Sequence, residues 1–388
     1  MRLAFVNYEF PPDGGGAGYA SLALAREFVA LGHQIDFVTR GTREAPHTET
    51  IDGICVHRVH AHRRSVHESG MLGALLFVAR AAPHLRALAR RHHYDAYVYY
   101  FGLPTGLLSL VPGPHRGRPY LVSLRGSDVP GFEPSLHWLH RLLRPISHRV
   151  WHRAHRVVAN SEALRTLALT SFPEIPVAVI PNGAAPTPPR TQTRAENGVR
   201  VLTVARLIAR KGLDTLIAAL ARTPREVSLD IAGEGPARDA LMRLAAERGV
   251  ADRVRFRGFV DHAGLASLYA HADVFVLASI AESCSMALLE AMSAGLPVIA
   301  SRTGGTVELV DHGANGLLFT PKDVGELADA LTTLADNAPL RQRFSDRNRM
   351  LVRERHSWRA IALQYETLLA EALSPERASA HRKIRSVA

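Results

Sequence analysis

Glu282 and Glu290 bracket the start of one segment, Ala278-Ser-Ile-Ala-Glu-Ser-Cys-Ser-Met-Ala-Leu-Leu-Glu-Ala-Met-Ser-Ala-Gly-Leu-Pro-Val-Ile-Ala-Ser301. A short apolar strand at Val274–Leu277 precedes it, and the pattern predicts a helix over 286–294 after a loop of small residues. Ser283 or Ser285 supplies the N-cap, Gly295 sits just past the helix end, and Pro297 cannot continue it. Glu290 falls about one turn into the helix, among Leu288, Leu289, Ala291 and Met292. A carboxylate on so apolar a helix needs a polar partner. One reading is a core glutamate paired with an arginine. The other is a glutamate that accepts hydrogen bonds from two ligand hydroxyls, beside N–H groups at Cys284, Ser285 and Met286 that hold phosphate.

Cations stand upstream. Arg206, Arg210 and Lys211 lie in the loop after a predicted strand at 199–205. Several cations and a helix N-terminus suit a diphosphate, and a deeper carboxylate suits a ribose diol. No Asp-x-Asp pair ends a strand, and no His/Cys/Asp cluster has metal-ligand spacing in the sequence. The expectation is a site with no metal and no cofactor, in which Arg and Lys hold a leaving diphosphate.

Two runs of strand–loop–helix units position these residues. The first opens with Arg2–Val6, a loop Asn7–Gly18 rich in glycine, a helix at 19–31 and a strand at 34–39. Its glycines fail the dinucleotide test: after Gly14 and Gly16 the third place is Tyr19, and Asp36 sits in mid-strand. The loop still allows close backbone approach to a ligand at a helix N-terminus. Paired strands are predicted around Gly53, a helix over 71–92 with a basic end at Arg86, Arg90 and Arg91, a strand at 95–99 and a helix from Leu103. That basic end is either a solvated face or a lipid-headgroup contact. The strand 120–124 ends at Arg125-Gly-Ser-Asp128, which reads as a site at a strand end or as an ordinary turn. Proline and polar residues over 184–197 mark a linker. The second run covers 198–356, a final amphipathic helix covers 357–373, and 374–388 is a basic tail expected to be disordered.

Bulk composition narrows the classes. The 388 residues are 47% hydrophobic, as a globular core requires. Two cysteines, Cys55 and Cys284, make no disulfide framework and suit a reducing compartment. The opening residues lack an apolar leader, and Arg80 ends the longest uncharged apolar stretch, so neither a signal peptide nor a membrane span is expected. Net charge is +11, and residues 1–188 hold 20 Arg against 13 acids. No nucleic-acid motif accompanies it, so an anionic membrane surface or a phosphate-bearing substrate is expected rather than nucleic acid. With only three Lys, an arginine-rich composition is the plain alternative.

Taken together and in order, these stretches resemble family 4 of the retaining glycosyltransferases. Glu282 through Glu290 matches that family's Glu-x7-Glu, followed by Gly-x-Pro-Val; Val204-Ala-Arg-Leu and Lys211-Gly-Leu-Asp match its phosphate-holding Arg and Lys. Gly233-Glu-Gly-Pro, Phe256-Arg-Gly-Phe-Val260, Ala159-Asn-Ser, Ile180-Pro-Asn-Gly and Glu9-Phe-Pro-Pro with Gly14-Gly-Gly also fit, over nearly the whole chain.

The resemblance implies an α/β GT-B fold, two Rossmann-like domains (1–183 on the acceptor side, 198–356 for the nucleotide sugar) facing each other across a cleft. The helix 357–373 would cross back to the first domain. It implies a retaining, metal-independent transfer from a UDP- or GDP-sugar to a glycan, lipid-linked or small-molecule acceptor. The cysteine usage and the basic charge lead to the expectation of a cytoplasmic location, either free or peripheral at the inner membrane face. Arg206, Lys211 and Glu282 would be catalytic. Gly15, Gly16, Val260, Cys284, Ser285, Met286 and Glu290 would bind the donor, with Glu290 on the ribose. Arg125 and Asp128 would lie on the acceptor or sugar side. Many members carry His where Arg125 stands, and Glu-Gly-Phe-Gly where this chain has Glu282-Ser-Cys-Ser285, so the donor sugar is left open. The alternative class is a non-catalytic sugar- or membrane-surface-binding protein on the same fold.

Overall fold

The computed structural model describes residues 1–12, 14–41, 45–60, 70–115, 117–187 and 198–374. Most of the expected linker, 188–197, and the tail from 375 lie outside them. The chain forms two units: Met1–Pro181 with the segment from Trp358 onward, and Asn182–Ser357.

In the first unit the strands are β1 (Arg2–Val6), β2 (Gln34–Gly41), β3 (Thr48–Ile51), β4 (Ile54–His60), β5 (Ala96–Tyr100), β6 (Tyr120–Ser123), β7 (Arg156–Ala159) and β8 (Val177–Val179). Among the described residues they make one sheet in the order β3-β4-β2-β1-β5-β6-β7-β8, parallel except for the β3–β4 hairpin. Both faces are covered, so β1 and β5 read as unbroken apolar runs buried along nearly their whole length. Its helices are α1 (Gly16–Ala30), α2 (Gly70–Arg91), α3 (His137–Arg153) and α4 (Glu162–Ser171). The segment from Leu103, expected to open a helix, is a 3-10 turn at Thr105–Leu110.

The second unit holds β9 (Val199–Val204), β10 (Val227–Ala232), β11 (Val254–Gly258), β12 (Val274–Leu277), β13 (Val298–Ser301) and β14 (Gly316–Phe319), all parallel, in the order β11-β10-β9-β12-β13-β14. Its helices are α5 (Leu213–Leu220), α6 (Arg238–Glu247), α7 (His262–His271), α8 (Met286–Ser293), α9 (Thr306–Leu309), α10 (Val324–Asp336) and α11 (Ala338–Arg355). Leu288, Leu289, Ala291 and Met292 of α8 are fully buried. Each such leucine contributes about 1.5–3 kcal/mol, which holds the helix down against the sheet. The described part of the expected linker belongs to this unit, because Ala184 bridges to Ser357 and its N–H bonds His356 O at 2.8 Å.

The last helix, α12 (Trp358–Leu373), belongs to the first unit. Ile361, Tyr365 and Leu369 are buried, Tyr365 Oη meets Ser123 Oγ of β6 at 2.8 Å, and Glu366 pairs with His33 at 2.7 Å.

Candidate active site

In an open parallel sheet, ligands bind beyond the strands' carboxyl ends where the strand order reverses. In the second unit that point is between β9 and β12. The loop after β9 carries Arg206, Arg210 and Lys211, and the loop after β12 carries Glu282. The two loops are sewn together. Ile280 N–H donates to Arg210 O at 2.8 Å, and Arg210 Nη1 donates to Ala281 O at 2.9 Å. Gly212 has φ +63°, and a Cβ there would stand 2.1 Å from Ala278 O, so only glycine lets the loops approach.

Lys211 Nζ lies 2.6 Å from Glu282 Oε2, and Ser279 Oγ donates to the same oxygen at 3.1 Å. Burial pushes the Glu282 carboxyl up, but the Lys211 ammonium, then Arg210 and the Ser279 hydroxyl, more than reverse it, and the group ends below its usual range. Gly304, at φ +39°, backs this loop: a Cβ there would meet Glu282 O at 2.0 Å. Arg206 is exposed on the same loop as Lys211.

Ser285 caps α8, its Oγ accepting from Leu288 N–H at 3.3 Å. Cys284 and Ser285 are buried and Met286 half-buried. The first turn of α8 carries no acidic side chain, so its positive end remains available to an anion. Asn182 Nδ2 donates to Cys284 O at 2.9 Å and fixes the loop before the helix.

Glu290 has no arginine partner among the described residues. Tyr269 of α7 donates its hydroxyl to Glu290 Oε2 at 3.0 Å. With only that neutral partner to oppose it, burial pushes the Glu290 carboxyl up to about 7. Val260 lies farther off, half-buried in the loop after the edge strand β11.

The first unit's order reverses between β1 and β5, where the glycine loop meets α1. Gly15 N–H is not open to a ligand here, because Glu9 Oε2 accepts from it at 3.0 Å; Gly16 opens α1, earlier than the expected Tyr19. Asp128 spends its carboxylate on backbone N–H groups. It is buried, and its oxygens take the N–H groups of Gly102, Arg125 and Gly126 at 2.7, 2.9 and 3.0 Å. It clamps the loops after β5 and β6, and burial raises its carboxyl despite those bonds. Arg125 lies over the Tyr100 ring at 4.8 Å.

Sequence reasoning missed Tyr269 and gave Asn182, part of the Ile180-Pro-Asn-Gly motif, no role, because only the packing of α7 on α8 and the return of residue 182 beside Cys284 reveal what they do. It also found no metal-ligand spacing, yet strand pairing brings Asp36, Cys55 and His57 together, their ligand atoms within 4.8 Å of one another.

The comparisons with known proteins agree along the chain. The model for the "glycosyl transferase 4-like domain" matches residues 15–183, and that for "glycosyl transferases group 1" matches residues 188–350. The chain belongs to the group 1 glycosyltransferases. An uncharacterized glycosyltransferase of Methanocaldococcus jannaschii is 28% identical over 380 residues, covering 93% of this chain and 96% of that one. Among solved structures, sucrose-phosphate synthase of Thermosynechococcus elongatus matches with TM-score 0.85 at 24% identity, over 96% of this chain and 98% of that one. HepE of Anabaena, solved with UDP and glucose, matches with TM-score 0.76 at 24% identity, over 95% and 99%. These two likenesses are of fold: the glycosyltransferase has the two Rossmann-like units of GT-B enzymes. Among its described residues no helix is long and apolar enough to cross a membrane.

Proposed function

We propose that this glycosyltransferase moves a hexosyl group from a UDP- or GDP-sugar to an acceptor hydroxyl, with retention and without a catalytic metal. One observation carries the reading: at the β9/β12 switch point, Lys211, Glu282 and the start of α8 share one locus, with Glu290 one turn into that helix. The ribose diol donates to Glu290, whose Oε1 remains beside the Tyr269-bound Oε2. The diphosphate lies at the N-terminus of α8, with Arg206 and Lys211 as counter-charges. Lys211 commits one N–H to Glu282 and keeps two for phosphate oxygens.

In the transfer, the bond from the anomeric carbon to the phosphate oxygen breaks, and its electron pair stays on the diphosphate. The acceptor oxygen bonds to the anomeric carbon on the face just vacated, and its proton passes to the leaving phosphate. Charge on the diphosphate grows as the bond breaks, so the cations act most in the transition state. The HepE structure, solved with UDP and glucose, supports a nucleotide-sugar donor.

The acceptor side of this reading is an anionic lipid surface. Helix α3 exposes Trp138, Leu142 and Ile146 at 58%, 68% and 38% along one stripe, beside exposed Arg141, Arg144 and Arg149 and with no acidic residue in the helix. One arginine on each helix is tied to a carbonyl, Arg144 to Ser171 O at 3.2 Å and Arg86 of α2 to Pro112 O at 2.9 Å, and it is the exposed apolar stripe that favours α3.

A mass-spectrometric screen of nucleotide sugars, followed by NMR of the anomeric centre in the product, tests the proposal. Binding of every candidate donor without transfer to any acceptor or to water would favour a non-catalytic binding protein. A product of inverted configuration would refute retention.

A further inference from the structure

Asp36, Cys55 and His57 meet near the amino-terminal ends of β2 and β4, at the opposite end of these strands from the carboxyl-end loops of their own sheet. Asp36 stands opposite Cys55 in the parallel β2–β4 pairing, and His57, two residues on, shares the face of Cys55. Cys55 Sγ lies 3.4 Å from His57 Nε2, which lies 2.9 Å from Asp36 Oδ1. Arg2 takes the other oxygen, Oδ2, at 2.9 and 3.0 Å and so fixes the carboxylate with Oδ1 toward the cluster. His84 of α2 stands next to this group but outside the 4.8 Å cluster of ligand atoms, so its ring must move inward to join them. The His84 ring centroid lies 5.4 Å from that of His57, and its Nε2 is buried with no hydrogen-bond partner.

An Arg2–Asp36–His57 network accounts for three of these residues as structural polar contacts. It does not account for a thiol and a partnerless imidazole at the same place. We propose that Asp36, Cys55, His57 and His84 form a tetrahedral zinc site that fastens β4 and α2 to β2. One thiolate, two imidazoles and one carboxylate are ligands that zinc takes in fourfold sites. Ligand atoms at zinc bonding distances stand about 3.4–3.6 Å apart, so the sulfur–nitrogen spacing is already suitable and the His57–Asp36 contact opens by about 0.5 Å. Zinc takes the place of the proton shared by His57 Nε2 and Asp36 Oδ1 and releases the Cys55 thiol proton. Because the cluster lies near the amino-terminal ends of β2 and β4, and ligands of such a sheet bind beyond the carboxyl ends, its role is to hold the fold.

Tag-free full-length protein, stripped with EDTA and titrated with cobalt and then zinc, tests this. One equivalent of cobalt should give the visible absorption of a tetrahedral ion together with a sulfur-to-cobalt charge-transfer band. Zinc should displace it and raise Tm. Cys55→Ser should lose the charge-transfer band, and His57→Ala and His84→Ala should weaken binding about tenfold or more. Exposed His47 and half-buried His60, whose Nε2 atoms are 3.2 Å apart, offer a rival site without sulfur, which the charge-transfer band distinguishes. The absence of a tetrahedral spectrum in the wild type, a band that survives Cys55→Ser, or unchanged affinity in His84→Ala would each overturn the proposal. Circular dichroism confirms that the variants fold, and the wild-type spectrum needs no variant.

Discussion

Glu290→Gln separates a ribose-binding carboxylate from a buried structural one, because the two predict opposite pairs of outcomes. The side chain accepts from Tyr269 at 3.0 Å, has no cationic partner among the described residues, and titrates at about 7 instead of 4.5 because it is buried. The folded state therefore holds this proton more tightly than the unfolded chain. The group's contribution to stability is fully present below pH 4.5, falls as the pH rises, and is lost by the time the pH has passed about 7. Between those limits, at 1.36 kcal/mol per unit, the loss reaches on the order of 3 kcal/mol. Gln cannot ionise, keeps the shape and still accepts from Tyr269. The variant should thus melt no lower than the wild type at pH 6 and higher at pH 8. Its nucleotide affinity should fall, because the ribose loses a charged acceptor worth about 1.5–3 kcal/mol, or roughly ten- to a hundredfold. If the ionised carboxylate is the binding form, wild-type affinity should rise about tenfold from pH 6 to pH 8, following its ionised fraction. Phosphate ionises in the same range, so the ratio of wild type to variant is the quantity to follow. Calorimetric titration with UDP and GDP at pH 6, 7 and 8, beside thermal melts, measures all of this. A variant that binds nucleotide with unchanged affinity at pH 8 would refute the ribose assignment. A lower melting temperature with normal binding would return Glu290 to a structural role.

Arg206→Ala and Lys211→Ala should each lower kcat about a hundredfold, near 3 kcal/mol of lost transition-state stabilisation; steady-state kinetics showing only a raised KM would contradict this. The two should differ in denaturant melts: Arg206 is exposed and its loss falls within about 0.5 kcal/mol, whereas Lys211→Ala removes the ion-pair partner of the largely buried Glu282, leaving it Arg210 and the Ser279 hydroxyl, and costs about 1–3 kcal/mol. Turnover should persist in EDTA, since Arg and Lys supply the counter-charge; a loss that Mg²⁺ or Mn²⁺ restores would sink that prediction, while the Asp36 site is read separately by its cobalt spectrum. Trp138→Ala combined with Leu142→Ala should reduce co-sedimentation with vesicles containing anionic lipid, and binding that ignores lipid charge or survives both changes would remove α3 from the acceptor surface.

What near neighbours along the chain decide was legible in the sequence. Helix α8 announces itself through the apolar spacing of Leu288, Leu289 and Met292, the Ser285 cap and Gly295 with Pro297 beyond, all within one segment. The alternation of apolar strands with helices likewise implied two parallel sheets, and with them the loops where Arg206, Lys211 and Glu282 would lie. Helices α3 and α11 were not read, because both are rich in arginine and only packing reveals the few positions, such as Trp151, Phe344 and Val352, that seat them. The partners within the site were beyond the sequence for a related reason. Lys211 meets Glu282 across 71 residues because β9 and β12 became neighbours. Glu290 found Tyr269 because α7 packs beside α8, and that neutral partner is why the carboxylate is held near 7. Asp36, Cys55 and His57 converge because of the β2–β4 register. Strand order and register are set by burying whole sheet faces, a property of the assembled sheet, so a charge's partner, and with it the charge's pKa, is decided only in the tertiary structure.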